Sequence, residues 1–372
     1  MKTLLFIDLY FHTKTSSSNF LFDLLSKEFE IERYYEDEDG LFQGEKLPPI
    51  KYREYDVIIY WQKVGSLERL LKVVKANSYC FFPMFDDSPL FNANDSYSVL
   101  YWYRLRHFRI ISFCRSLYNS LIDAGFDVLY FQYFPPLKPV DSFGVENAVY
   151  LWRRTLDVDL KTVSLVNQNF PLSGVHCHNV PDPWIRNTKL DIPLQLSNLV
   201  TVSDWYANKE DMRKDIEKCA IYLAPRLKEG IGMSFLEAMA MGRCVIAPNS
   251  PTMNEYIVDG KTGILYDCAN PVFSLTKETV RKIQKQTLDY INEGYKKWQV
   301  ERLSICECVQ HSIGFYWFNY KNVILQYYWS KNRVKQRLQR VLHLLRLNMP
   351  EFLVRGICWV LKRPYHKCNP LF

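Results

Sequence analysis

Short apolar runs alternate with amphipathic stretches along most of this 372-residue chain. Runs at 4–9, 55–61, 79–85, 109–113 and 128–131 predict strands, and stretches at 19–29, 67–75 and 117–124 predict helices. Such alternation specifies a parallel sheet flanked by helices, because parallel neighbours need a long crossover and a helix supplies it. Gly125 stands where the last of these helices needs a C-cap. Pro135-Pro136-Leu137-Lys138-Pro139 then makes a stiff extended connector. Beyond it the pattern restarts. Strands are expected at 148–152, 199–203, 221–224, 244–247 and 264–266. Helices are expected at 160–166, 209–219, 234–241 and 253–258, followed by long ones at 277–297 and 301–328. The expected fold class is therefore α/β, with one unit at 1–140, a second at 141–330 and a tail at 331–372. A ligand cleft belongs between the two units, at the carboxyl ends of the strands.

Composition narrows the function classes. Hydrophobic residues at 48% and charged residues at 23% exclude a disordered or fibrous chain. Residues 1–330 hold 37 basic and 39 acidic side chains, a net of −2, whereas 331–372 holds ten Lys/Arg and one acid. In that tail Val334, Leu338, Val341, Leu342 and Leu345 fall on one helical face, with Lys331, Lys335, Arg337, Arg340 and Arg346 around the rest. This pattern points to an anionic membrane surface as partner. Nothing resembles a nucleic-acid recognition motif, so nucleic acid is not an expected partner.

The ten cysteines form no CxxC pair and read as reduced thiols of a cytoplasmic protein. Asp8 inside the first apolar run argues for a strand there and against a signal peptide. No apolar run is long enough to span a bilayer. A cytoplasmic protein, peripheral at the inner face of the membrane, is the expectation.

The densest chemical signal is Glu229-Gly230-Ile231-Gly232-Met233-Ser234-Phe235-Leu236-Glu237, between an expected strand and an expected helix. Glycines let a backbone approach a ligand, and the helix start offers free N–H groups and partial positive charge to a phosphate. Carboxylates do not bind phosphate, so the two glutamates should bind hydroxyls beside it. That combination fits a phosphate-linked sugar. A structural alternative for Glu237 is the capping box Ser234-x-x-Glu237. Two other phosphate motifs are excluded. A dinucleotide fingerprint needs Gly where Phe235 stands, and Gly260-Lys261-Thr262 lacks the earlier P-loop glycine, which falls at Glu255.

Residues 220–267 resemble the nucleotide-sugar-binding core of the retaining GT-B glycosyltransferases, the group 1 family. The resemblance rests on Ala224-Pro225, the glutamate pair, Leu236-Glu237-Ala238-Met239-Ala240 and Gly242-Arg243-Cys244-Val245-Ile246-Ala247. Thr252-Met253-Asn254-Glu255-Tyr256-Ile257, Asp259-Gly260 and Gly263-Ile264-Leu265 continue it. It implies two Rossmann-like domains facing across a cleft, and transfer of a sugar from a nucleotide diphosphate donor to a hydroxyl of a glycan or lipid-linked acceptor. It assigns the donor sugar to Glu229, the ribose to Glu237 and the diphosphate to the stretch Gly230, Ile231, Gly232, Met233 and Ser234. It also implies a cation after the first strand of the second domain, Arg153 or Arg154, with Lys161 and Arg226 as further candidates. Asp86 or Asp87 would face the acceptor, where relatives often place a histidine. His176 and His178 are candidates for the cleft wall.

Asp37-Glu38-Asp39 and Asp157-Val158-Asp159 spell the metal motif of a different transferase fold, but sit in a loop and at a helix start. Both read as structural, so neither a metal nor a cofactor beyond the donor is expected. An inactive GT-B protein that binds membrane or nucleic acid, and a nucleotide-sugar epimerase, are the alternatives.

Overall fold

The computed structural model describes residues 1–139, 141–182, 185 and 189–310. The basic tail at 331–372 and most of the helix expected at 301–328 lie outside the described residues.

The first unit is a sheet of six parallel strands: β1 (Lys2–Leu9), β2 (Phe29–Glu36), β3 (Glu54–Gln62), β4 (Lys75–Pro83), β5 (Arg109–Ser112) and β6 (Val128–Tyr130). Their order is β2-β1-β3-β4-β5-β6. Helices α1 (His12–Thr15), α2 (Asn19–Leu25), α3 (Leu67–Leu70), α4 (Ser96–Arg104) and α5 (Arg115–Ala124) connect them. The central strands are apolar throughout because both faces of the sheet are covered: Leu4, Leu5, Phe6, Ile7 and Ile58, Ile59, Tyr60 are all fully buried.

The second unit repeats the plan with β7 (Val145–Trp152), β8 (Gly174–His178), β9 (Val200–Ser203), β10 (Cys219–Leu223), β11 (Cys244–Pro248) and β12 (Ile264–Tyr266), all parallel. The order β12-β11-β10-β7-β8-β9 is the Rossmann order, with its switch point between β7 and β10. Helices α6 (Leu160–Asn169), α7 (Lys209–Glu217), α8 (Met233–Ala240), α9 (Met253–Tyr256), α10 (Lys277–Glu301) and α11 (Leu303–Gln310) complete the chain. No described helix is long and apolar enough to cross a membrane.

Several elements differ from the sequence expectation, the unexpected α1 and α4 among them. β2 was hidden by Glu30, Glu32 and Arg33, charges that an edge strand tolerates. β8 was hidden by His176 and His178, read only as cleft candidates. The helix expected at 67–75 stops at Leu70, because β4 already starts at Lys75.

The two units are tied together in two places. The long helix α10 ends with Trp298 wedged among Phe20, Phe113 and Tyr133, at centroid distances of 6.0, 6.3 and 5.4 Å. α11 then packs on the first sheet, where the Val309 carbonyl accepts the Ser78 hydroxyl at 2.5 Å. At the second place, α5 has Cys114 as its N-cap residue and no side-chain cap of its own. Glu255 of α9, in the other unit, fills that role. Its carboxylate accepts the Arg115 N–H at 2.8 Å, the Ser116 N–H at 3.3 Å and the Tyr130 hydroxyl at 3.2 Å.

A helix cap is worth about 1–2 kcal/mol, and here the cap also joins the units. Glu255→Ala should lower the unfolding free energy read from urea denaturation by about that amount, seen as a lower midpoint. An unchanged midpoint would show that water replaces the carboxylate without loss.

Candidate functional site

The two switch points face each other across a cleft of about 290 Å³. On the first-unit side, the carboxyl ends of β1 and β3 supply Leu9, Phe11, His12, Trp61 and Gln62, and the end of β4 supplies Met84 and Asp86. On the second-unit side stand Trp152 at the end of β7, Arg154 just after it, His178 at the end of β8, and Arg226, Glu229 to Ser234 and Glu237 after β10.

The glycine loop lies at the junction. Gly232 caps α8 with φ at +80°, and a Cβ there would meet the Phe235 ring at 1.9 Å. A Cβ on Gly230 would lie 2.7 Å from Met84 Sδ and 3.0 Å from Asp86 Oδ1. Gly230 is thus required by close approach of the other unit, a reason additional to the ligand contact expected from sequence. The Thr252 hydroxyl fastens the loop through the carbonyls of Glu229 and Gly230, at 2.5 and 3.1 Å. Because Gly232 is the cap, Ser234 lies inside the first turn and makes no cap bond, so the capping box does not form. Glu237 instead lines the cleft, and no hydrogen bond to its carboxylate is made among the described residues. Met233 and Ser234, whose N–H groups head α8, line the same cleft, and a helix start of this kind is a seat suited to an anion.

A chain of four charges runs behind this seat. Arg154 donates to Asp182 Oδ1 through Nε at 3.0 Å and through an amino group at 2.9 Å. Arg226 donates to the other oxygen of Asp182 and, at 2.6 Å, to Asp86 of the first unit. Glu229 is buried beside them, with Oε1 lacking a hydrogen-bond partner. Burial pushes the Glu229 carboxyl above its usual range, against the opposing pull of Arg226 and Arg154. Burial likewise raises Glu237, opposed by Lys209 and Lys138. Asp86, whose Oδ1 is also buried without a partner, is raised to about 7 by burial, with Arg226 lowering it and Glu229 adding repulsion.

Of the remaining sequence candidates, several fall away from the cleft. Arg153 turns from it and donates to Asn179 Oδ1 at 2.9 Å and the Lys189 carbonyl at 3.2 Å. Lys161 is exposed at the start of α6 and does not line the cleft. Asp87 binds Lys63 at 2.8 Å. His178 lines the cleft, whereas His176 stands behind it, bonded to Ser203 and Tyr206 at 2.9 and 3.0 Å. Burial lowers both, His178 to about 4, so both are neutral near pH 7. Asp37 turns its own loop by accepting the Asp39 and Leu41 N–H groups, and Asp159 caps α6. Asp182, Trp205, Tyr206, Lys209 and His12 were missed. Only Asn208 carries a local signal, as the N-cap that starts α7 beside Lys209.

Residues 148–284 match the family model described as Glycosyl transferases group 1. They form a group 1 glycosyltransferase domain. No curated protein matches the chain by sequence. Among solved structures, sucrose-phosphate synthase from Thermosynechococcus elongatus is 12% identical, with a TM-score of 0.61 over 83% of this chain and 98% of that one. Anabaena HepE in complex with UDP and glucose is 11% identical, with a TM-score of 0.52 over 91% of this chain and 100% of that one. The architecture is that of the GT-B glycosyltransferases, as the sequence resemblance implied, and the chain is a glycosyltransferase.

The raised Asp86 has a measurable consequence. The folded protein holds this proton more tightly than the unfolded chain, whose Asp titrates near 3.8. The stability Asp86 contributes is therefore full below that value and lost as pH rises through about 7. In urea unfolding, Asp86→Asn should gain on the wild type across that window and run parallel above it. Parallel curves throughout would contradict the raised value.

Proposed function

We propose that this glycosyltransferase moves a sugar from a nucleotide diphosphate donor to a hydroxyl of a glycan or lipid-linked acceptor, with retention of anomeric configuration and without a metal ion. The observation that carries this reading is the anion seat at the start of α8, flanked in one cleft by Glu229 and Glu237 and faced by the other unit. HepE, of the same fold, is described with UDP and glucose bound.

In this reading the diphosphate rests on the N–H groups of Met233 and Ser234, with Arg154 and Arg226 neutralising the charge that grows as it departs. Such preorganised donors are the largest contribution expected in transfer of this kind. Glu229 has one unsatisfied oxygen, suited to a hydroxyl of the donor sugar as positive charge develops at the anomeric carbon. Glu237 has both oxygens available for the ribose diol. Arg154 and Arg226 replace the cation of a metal-dependent transferase, and no cofactor beyond the donor is required. The glycosyl acceptor enters from the side of β1, β3 and β4. The basic tail adds attachment to an anionic membrane surface at its cytoplasmic face, which suits a lipid-linked acceptor. Nucleic acid is not a partner in this reading.

Screening of nucleotide sugars against hydroxyl acceptors, with the anomeric configuration of the product read by NMR, tests the reaction. Activity should persist in excess EDTA. A charged hydrogen bond is worth about 1.5–3 kcal/mol, roughly ten- to a hundredfold. Glu237→Ala should weaken nucleoside diphosphate binding by that factor, and Glu229→Ala should lower kcat with little change in that affinity. Unchanged binding in the Glu237 variant, or loss of transfer in EDTA, would contradict these assignments. Sedimentation with anionic vesicles should retain the full chain at low salt and release a chain lacking 331–372. Equal sedimentation of both would remove the tail from the scheme.

A further inference from the structure

A second cavity, of about 250 Å³, opens between the two units and shares no residue with the cleft. One side of α10 lines it: Tyr295, Trp298, Gln299 and the C-cap residue Arg302 recur at the spacing of a single helical face. The first unit supplies Phe20 and Asp23 on α2, Lys27 just beyond it, and Tyr133 ahead of the proline connector. The rings of Phe20 and Tyr133 lie 4.4 Å apart, and Trp298 lies 5.4 Å from Tyr133 and 6.0 Å from Phe20. Rings braced against one another in this way hold the cavity open.

The charged and amide groups around this cavity lack partners. Gln299 Nε2 and Arg302 Nε are buried and bond to nothing. The side chains of Asp23 and Lys27 make no ion pair or hydrogen bond among the described residues. Orphaned buried donors cost stability and are uncommon in native proteins. Polar groups elsewhere between the units are bonded, as Glu255 is to the head of α5 and Ser78 to the Val309 carbonyl. Unmet groups gathered around one cavity point to a ligand that meets them. Lys27 and Arg302 against Asp23 leave positive charge in excess, so the ligand carries a negative group. Asp23 repels a bare anion but accepts hydroxyl hydrogens. Half-buried Phe20 and Tyr295 add apolar surface for the C–H face of a ring. A fatty chain would strand all four polar side chains, and a neutral sugar would leave both cations unmatched.

We propose that this cavity binds a sugar bearing one anionic group, a carboxylate or a phosphate ester. Arg302 and Lys27 meet the anionic group, Asp23 accepts hydrogen bonds from ring hydroxyls, and Gln299 donates to a sugar oxygen. Bound there, the sugar touches both units at once. Its binding does not depend on the glycosyl-transfer reading above, because no residue of the cleft takes part.

Calorimetry on the full chain, with no donor present, tests this with glucuronate and glucose 6-phosphate against glucose and inorganic phosphate. At least one acid sugar should bind saturably, with glucose and inorganic phosphate weaker by about tenfold or more. The tighter of the two acid sugars identifies the anionic group. Arg302→Met and Lys27→Met each remove a charge-assisted bond and should weaken that sugar roughly ten- to a hundredfold. Glu237→Ala, in the cleft, should leave its affinity unchanged. Arg302 Nε has no bond to lose, so Arg302→Met should unfold in urea no earlier than the wild type. If that variant fails to fold, Lys27→Met, altered at an exposed position, carries the same comparison. Absence of saturable binding by either acid sugar would overturn the proposal. So would inorganic phosphate or glucose binding as tightly as the acid sugars. Loss of binding in Glu237→Ala, with none in the Arg302 and Lys27 variants, would put the ligand in the cleft and overturn it as well.

Discussion

Asp182 has almost no access to water, and a guanidinium group rests on each of its oxygens. A buried carboxylate with one arginine removed would cost several kcal/mol, so the three side chains are kept as a set. The set decides where the cleft walls stand. It holds Arg154 against the end of β7 and Arg226 against the end of β10, on either side of the Rossmann switch point. Through Arg226 it reaches Asp86 in the other unit. The charges that line the cleft are therefore the same ones that tie the two sheets together.

The glycine loop obeys the same economy of space. Gly232 provides the positive φ that turns the chain into α8, and Gly230 leaves room for Met84 and Asp86 to reach the loop. Domain contact and cleft wall thus share one short segment. At the rear of the interface, Glu255 caps α5 from across the boundary, and Trp298 fills an aromatic cluster in the first unit. Together these contacts hold the two carboxyl-end faces opposite each other at a spacing that leaves a cleft. The first unit then presents its own buried carboxylate, Asp8, bonded to His12 at the cleft wall.

Much of this was legible in the sequence. Apolar runs with both faces covered announce parallel strands, and the proline connector marks where one sheet ends and the next begins. Glu229, Glu237 and the glycine loop stand out because their spacing is local, within one turn-and-helix unit. The capping box was a reasonable alternative on the same spacing, and the structure removes it because Gly232 takes the cap position. β2 and β8 escaped notice because charged and histidine side chains mask strand character at positions where neighbours or an exposed edge compensate. Of the adjacent arginines, sequence had no means to choose. Arg154 faces the cleft and Arg153 binds Asn179 behind it, because successive residues leaving a strand point to opposite sides.

The sequence by itself determined the two α/β units and the glycine loop with the glutamates that flank it, since each depends on residues close along the chain. Only the tertiary structure decided which cations stand in the cleft, that Lys161 does not, and that Asp182 organises Arg154 and Arg226. It alone brought Asp86 to Arg226 and placed His12 in the same cleft as the glycine loop. Those pairings join residues far apart in sequence, and their worth comes from burial, which exists only once the sheets have packed.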